Sequence, residues 1–82
     1  MRVRALYFAA VREIAGLEEE LILLPEPVRS VADFGAFLVA RYPRLQAGAA
    51  SLRFARNEVF AAPREAIAEG DVIAVLPPVA GG

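Results

Sequence analysis

The reactive side chains that most enzymes use are missing from this sequence. The 82 residues include no His, Cys, Lys or Thr, and the only aliphatic hydroxyls belong to Ser30 and Ser51. A nucleophile paired with histidine is therefore excluded, as is a zinc site built from His or Cys. Acid–base work by a carboxylate pair stays open, but no pair is marked by its setting. The distinctive chemical group left is the terminal carboxylate of Gly82.

The segment that carries this carboxylate has an unusual composition. It reads Pro77, Pro78, Val79, Ala80, Gly81, Gly82. Prolines favour an extended backbone, so six residues could project up to ~20 Å from a folded domain. Glycines have no Cβ and would let a narrow channel close around the chain. The pattern indicates a tail that presents its carboxylate to another protein, although a frayed terminus is the ordinary alternative.

Composition and charge indicate what kind of protein carries this tail. A chain of 82 residues with 57% hydrophobic residues predicts one globular domain, and the absence of cysteine favours the cytoplasm. No segment is typical of a signal peptide or a membrane span. The net charge is -1 with no basic run, so we expect no nucleic-acid partner. The acidic run at positions 18–20 is interpreted as a solvated strand edge, and no metal site is expected.

Hydrophobic periodicity predicts the strands and helices of the domain that carries the tail. Strands are predicted at residues 2–9, 17–24, 52–56, 59–61 and 71–76, with a short helix at 10–15 that ends at Gly16. Ser30 and Asp33 form an acidic capping box for the main helix, which Pro43 ends. This order predicts an α+β fold of the β-grasp type, with a mixed sheet packed on one main helix. The domain then covers residues 1–76 and the tail residues 77–82.

Three stretches make the sequence recognisable: "VRALYFAAVREIAG", "RNEVF" and "EGDVIAVLPPVAGG". Together they resemble the small subunits of molybdopterin synthase, the ubiquitin-like sulfur carriers of molybdenum cofactor biosynthesis. The resemblance implies that an adenylating enzyme uses ATP to activate Gly82 and that a sulfur donor protein converts it to a thiocarboxylate. It also implies that the tail inserts into the large subunit of a heterotetramer, where its sulfur builds the dithiolene of molybdopterin. The chain itself would hold no cofactor and no catalytic residue.

The resemblance also implies a docking surface for these partners. Its expected residues are Phe8, Arg12, Phe60 and Leu76. Strand alternation independently places Phe8 on the outer face of the sheet, beside Arg2 and Arg4, and assigns Tyr7, Phe34 and Leu38 to the core. The alternative for Phe60 and Leu76 is that they are core residues. Relatives often carry an aromatic residue at the position of Leu76.

Other functions remain open from the sequence. A sulfur carrier for thiamine thiazole synthesis or for tRNA thiolation would share the fold and the Gly-Gly tail. A ubiquitin-like modifier would join its C-terminus to lysines on target proteins, although it could form no lysine-linked chains on itself. A plain interaction domain would have a tail without a role.

Overall fold

The computed structural model describes residues 1–78 and contains a five-stranded mixed sheet with a helix on one face. Its elements in chain order are β1 (Arg2–Tyr7), α1 (Ala9–Ala15), β2 (Glu19–Leu23), α2 (Val31–Arg41), a 3-10 segment (Pro43–Ser51), β3 (Arg53–Arg56), β4 (Val59–Phe60) and β5 (Val72–Leu76). Every predicted strand and helix is present, with ends that differ by one or two residues. The 3-10 segment was not predicted.

The strands lie in the order β2-β1-β5-β3-β4. The central pair, β1 and β5, is parallel, and the other neighbours are antiparallel. The first and last strands of the chain therefore form the middle of the sheet. This arrangement confirms the predicted α+β fold of the β-grasp type.

The core lies between one face of the sheet and α2. On the two central strands, alternate side chains point inward and are at most 1% exposed; these are Val3, Ala5, Tyr7, Ile73 and Val75. From α2, Phe34 and Leu38 are fully buried against them. The core assignments of Tyr7, Phe34 and Leu38 are thus confirmed. Burial of these side chains supplies the main stabilisation of the fold, at about 1.5–3 kcal/mol for each large one.

The capping box at the start of α2 is also confirmed. The Ser30 hydroxyl accepts a hydrogen bond from the Asp33 N–H at 3.1 Å, and the Asp33 carboxylate accepts one from the Ser30 N–H at 3.1 Å. The Asp33 carboxylate also accepts a hydrogen bond from the Arg29 N–H at 3.0 Å, and this bond, together with those from Ser30, lowers the pKa of Asp33. α2 ends at Arg41, two residues before Pro43, as a proline that cannot continue a helix requires. Pro43 then opens the 3-10 segment, where proline is well tolerated at a first turn.

The β3–β4 hairpin turns on Asn57 and Glu58, as predicted, and both residues are left-handed, with φ of 50° and 72°. A two-residue turn of this hand matches the twist of the strands, and glycine is usually favoured in it. The Asn57 side chain stabilises this turn: its Oδ1 accepts from the Val72 N–H at 2.9 Å and its Nδ2 donates to Asp71 at 3.0 Å. The Asn-Glu turn is therefore stabilised by contacts with Val72 of β5 and with Asp71, which precedes this strand.

The interpretation of positions 18–20 as a solvated strand edge is wrong for Glu20. Its side chain is only 13% exposed and accepts hydrogen bonds from the hydroxyls of Tyr7 and Tyr42 and from the Arg41 guanidinium. Burial opposes ionisation of Glu20, but the bonds from Arg41, Tyr42 and Tyr7 outweigh it and lower its pKa. Burial and the Glu20 contact raise the pKa of Tyr7. The carboxylate thus links β1, β2 and the end of α2.

We expect Glu58→Gly to stabilise the fold, because glycine adopts the left-handed conformation without the steric cost that Glu58 bears. The expected gain is about 0.5–1 kcal/mol in the free energy of unfolding, measured by denaturant melts. Asn57→Gly is the matched control: it relieves the same strain but removes two side-chain hydrogen bonds. A net loss of stability is expected for the control, and equal gains from both variants would contradict this account of the turn.

Glu20→Gln should lower stability by about 1–3 kcal/mol near neutral pH, since it removes the charge that Arg41 faces in a half-buried site. The pKa of Glu20 is lowered from its ordinary 4.5, so its contribution is full above that value and is lost as pH falls through the lowered one. Urea melts near neutral pH and at about pH 3 should therefore show the two proteins converging. Glu19→Gln, at a side chain 53% exposed, is the control and should differ from the parent by under about 0.5 kcal/mol. A gap for Glu20→Gln that is the same at both pH values would refute the ionic role.

Candidate docking face and exit of the C-terminal tail

The tail leaves the domain from the middle of the sheet. β5 ends at Leu76, which lies opposite Arg53 of β3 in the strand register. Pro77 is half-buried and Pro78 is exposed. The predicted tail residues Val79, Ala80, Gly81 and Gly82 lie outside the described residues. A chain that leaves a central strand is anchored by hydrogen bonds on both sides up to that point, so the exit position is well defined.

Phe8 lies beside this exit, at the junction of β1 and α1. Its N–H donates to the Val75 carbonyl at 3.3 Å, and its carbonyl accepts from the N–H groups of Val11 and Arg12. Phe8 as a whole is 38% exposed. Ala9, the next residue, is left-handed with a φ of 50°, a conformation that alanine adopts at a cost. Backbone hydrogen bonds therefore set the position of the Phe8 ring through a strained turn.

Arg12 adds positive charge next to Phe8. Its Nε donates to the Tyr7 carbonyl at 3.3 Å, and its guanidinium lies 3.6 Å from the Glu18 carboxylate. Both side chains of this ion pair are largely exposed, so the pair contributes little to stability. The guanidinium therefore remains accessible to an acidic group on a partner.

Phe60 lies farther along the same outer face. It pairs with Ala55 in the β3–β4 register and is 64% exposed, so the alternative that Phe60 is a core residue is wrong. The guanidinium of Arg53 lies 5.2 Å from the centre of its ring, within the range of a cation–π contact. Phe60 therefore adds an exposed aromatic side chain at the edge strand β4.

Leu76 lies between these residues and is half-buried. Its neighbours on β5, Ile73 and Val75, are fully buried on the inner face, whereas Leu76 alternates with Val75 onto the outer face. Leu76 and Phe8 belong to the adjacent strand ends of β5 and β1, while Phe60 is two strands from β5. The structure thus places Phe8, Arg12 and Leu76 near the exit and Phe60 on the same face at a distance.

Arg53 is the member of this face that sequence reasoning missed. It faces Leu76 across the β3–β5 register and Phe60 through its guanidinium. The available signal was its period-two spacing with Ala55 on a predicted strand. The face therefore combines exposed apolar side chains with the arginines Arg12 and Arg53, a composition suited to a partner with apolar pockets and acidic groups.

Within residues 1–78, no cluster of three or more carboxylates could hold a metal ion. Over the same range, no helix has the length and apolar character that crossing a bilayer requires.

A mixed sheet curved over one main helix, with its first and last strands paired at the centre, defines a ubiquitin-like protein of the β-grasp class. The chain belongs to the ThiS family, whose model matches residues 5–82. It is 34% identical to the molybdopterin synthase sulfur carrier subunit of Chlamydomonas reinhardtii over the full length of both chains. The resemblance to molybdopterin synthase small subunits is thereby confirmed.

Solved structures show the same likeness. A putative molybdopterin converting factor subunit 1 from Pyrococcus furiosus superposes with a TM-score of 0.83 at 31% identity, covering 96% of this chain and 99% of the other. The SAMP1 protein of Haloferax volcanii superposes with a TM-score of 0.80 at 30% identity over all of both chains. The fold is thus similar both to a putative subunit of molybdopterin converting factor and to a protein named as a small archaeal modifier.

The substitution Phe8→Ala tests whether Phe8 is a docking residue or a core residue. Because the Phe8 ring is partly exposed, we expect a stability loss below about 1.5 kcal/mol, against about 3–5 kcal/mol for the buried control Phe34→Ala. Binding to a large synthase subunit, measured by calorimetric titration, should weaken by about 1–2 kcal/mol if the ring is an anchor. Leu23→Ala, an exposed residue on a different strand, is the affinity control. Unchanged affinity for Phe8→Ala would remove this ring from the interface.

Proposed function

We propose that the chain is the sulfur carrier of a molybdopterin synthase, with the Gly82 carboxylate as its working group. The full-length match to a molybdopterin synthase sulfur carrier subunit is the observation that carries this proposal. Two features of the chain support it: the sequence ends in Gly-Gly, and the outer face beside the exit of β5 exposes Phe8 and Arg12.

The chemistry begins with activation of Gly82. A carboxylate resists attack because neither oxygen is a leaving group. An adenylating enzyme of the ubiquitin-activating type joins a Gly82 oxygen to the α-phosphate of ATP and releases pyrophosphate. A hydrosulfide equivalent from a sulfur donor protein then forms a bond to the acyl carbon, and AMP leaves with the electrons of the broken C–O bond. The product is a C-terminal thiocarboxylate.

Delivery of the sulfur requires a partner, because residues 1–78 offer no group that could transfer it. The tail, residues 77–82, enters the large synthase subunit and places the thiocarboxylate sulfur next to the pterin precursor. Each transferred sulfur forms a new C–S bond on the precursor, and oxygen from water restores the Gly82 carboxylate. In this scheme the carrier supplies the reacting atom and the large subunit supplies catalysis.

Docking is assigned to the outer face of the sheet. Phe8, Phe60 and Leu76 supply apolar contacts for the adenylating enzyme and for the large subunit, and Arg12 supplies a charged one. The same face would serve both partners in turn, since both must receive the tail that leaves from β5. Partner exchange between activation and delivery follows from this shared surface.

A protein modifier is the second candidate function, favoured by the likeness to SAMP1 of Haloferax volcanii. In that role the activated Gly82 forms an amide bond with the ε-amine of a target lysine. Tryptic digestion of cell extracts followed by mass spectrometry would detect it as target lysines that carry residues 65–82, since Arg64 is the last basic residue of the chain. Carriers for thiamine thiazole or tRNA thiolation remain alternatives, although the named relatives at 30% identity or more include molybdopterin subunits.

We expect the chain to acquire a thiocarboxylate when it is incubated with its adenylating enzyme, ATP and a sulfur donor. Intact-mass spectrometry should show a species heavier by the difference between one sulfur and one oxygen atom, and fragmentation should place it on Gly82. A carboxylate product alone, with ATP consumption by the enzyme demonstrated, would contradict the sulfur-carrier function.

Deletion of Gly82 provides the control for that experiment. The core lies within residues 1–78, so thermal melts of the truncated and full-length chains should nearly coincide. The truncated chain still ends in a carboxylate, on Gly81, but its tail is one residue shorter. It should give no thiocarboxylate, because the shortened tail does not bring this carboxylate to the ATP of the adenylating enzyme. A truncated chain that melts much lower would show that the tail stabilises its own domain, and the loss of sulfur acceptance could then not be assigned to the shortened tail.

A further inference from the structure

One edge of the sheet is open and apolar. β2 is an edge strand, paired only with β1 among the described strands. Tyr7 N–H bonds the Glu18 carbonyl at 2.8 Å and Leu24 N–H bonds the Met1 carbonyl at 2.7 Å. Hydrogen-bonded and non-bonded residue pairs alternate in an antiparallel ladder, so even-numbered residues of β2 bond to β1. The N–H and C=O groups of Glu19, Leu21 and Leu23 therefore point away from the sheet.

The side chains of the same three residues lie on the outer face. Leu21 is 71% exposed and Leu23 is 74% exposed, the two highest values among the large apolar residues of the described chain. A strand that combines free backbone groups with exposed apolar side chains is a template for an added strand. This open edge, Glu19, Leu21 and Leu23, belongs to the same outer face but is separated from β5 by β1, so it is distinct from the docking residues at the tail exit.

The charges beside the edge indicate what the added strand should contain. Arg2 is opposite Leu23 in the β1–β2 register. Within residues 1–78 the Arg2 guanidinium has no ion pair, whereas Arg4 pairs with Glu19 at 2.7 Å. An added strand should therefore carry leucine-like residues at alternate positions and a carboxylate near Arg2. The chain's own β2, with Glu19, Leu21 and Leu23 at alternate positions, has that composition.

We propose that the open edge pairs with the same edge of a second copy of this chain. The pairing is antiparallel about a two-fold axis, with Leu21 opposite Leu21 of the second copy and Glu19 opposite Leu23. Each opposed pair then exchanges two backbone hydrogen bonds. Glu19 of the second copy lies two strand spacings, about 10 Å, from the Arg2 backbone, within reach of the two long side chains across Leu23.

The two-fold axis of this dimer sets where the two tails leave. Because β2 and its symmetry mate run in opposite directions, the two β5 strands do as well. The two five-stranded sheets become continuous, and the tails leave from opposite ends of it. Both tail exits remain open to partners.

A contact between two five-residue strands is small, so the dimer is weak and concentration-dependent, with a dissociation constant in the range of about 0.1–1 mM.

Sedimentation equilibrium of the full-length chain from about 10 μM to about 1 mM tests the proposal. The average mass should rise from that of a monomer toward that of a dimer. Leu21→Lys places two like charges opposite each other at the axis and should raise the dissociation constant at least about tenfold. Val59→Lys, at a residue 68% exposed on the opposite edge strand, is the matched control and should leave it unchanged.

Hydrogen exchange gives a second readout at single residues. Exchange of the Glu19, Leu21 and Leu23 amides should slow as concentration rises, and it should not slow in Leu21→Lys. A chain that stays monomeric over the whole range would overturn the proposal. So would a self-association that Leu21→Lys leaves intact, since the contact would then lie elsewhere on the molecule.

Discussion

The separation of the two faces of β1 and β5 is the constraint on which the rest of this structure depends. Alternate residues of both strands are buried against α2, and the residues between them face outward. A shift of either strand by one residue would exchange the two sets, moving Tyr7 and Val75 into solvent and Phe8 and Leu76 inward. The same alternation that builds the core therefore also builds the outer face where the tail leaves.

Polar contacts stabilise this register at both ends of the sheet. At one end, Glu20 joins β2 to Tyr7 of β1 and to Arg41 and Tyr42 at the end of α2. At the other, Asp71 accepts hydrogen bonds from Arg56, Asn57 and the Ala68 N–H before β5 begins. Burial opposes the charge on Asp71, but these bonds lower its pKa. Each carboxylate therefore joins two elements through hydrogen bonds that form only when those elements are aligned as they are in this fold.

Local patterns in the sequence were sufficient for much of this architecture. Alternation predicted the strands, and the Ser30–Asp33 pair predicted the start of α2, because both depend on neighbours within four residues. The Glu20 cluster could not be predicted in that way, since its partners Tyr7 and Tyr42 are 13 and 22 residues distant along the chain. The 3-10 segment was missed because its small residues have no strong periodicity. Arg53 was overlooked because its contact with Phe60 depends on the hairpin register.

In the proposed function the chain is a carrier: the sheet fixes where the tail leaves, and the terminal carboxylate reacts on other proteins. The most direct measurement is a single-turnover transfer with a chain whose Gly82 thiocarboxylate carries radioactive sulfur. Mixed with a large synthase subunit and the pterin precursor, the label should move from the carrier to the dithiolene product in proportion to the carrier consumed. Label that stays on Gly82, or that is released as sulfide at the same rate without the large subunit, would contradict the account.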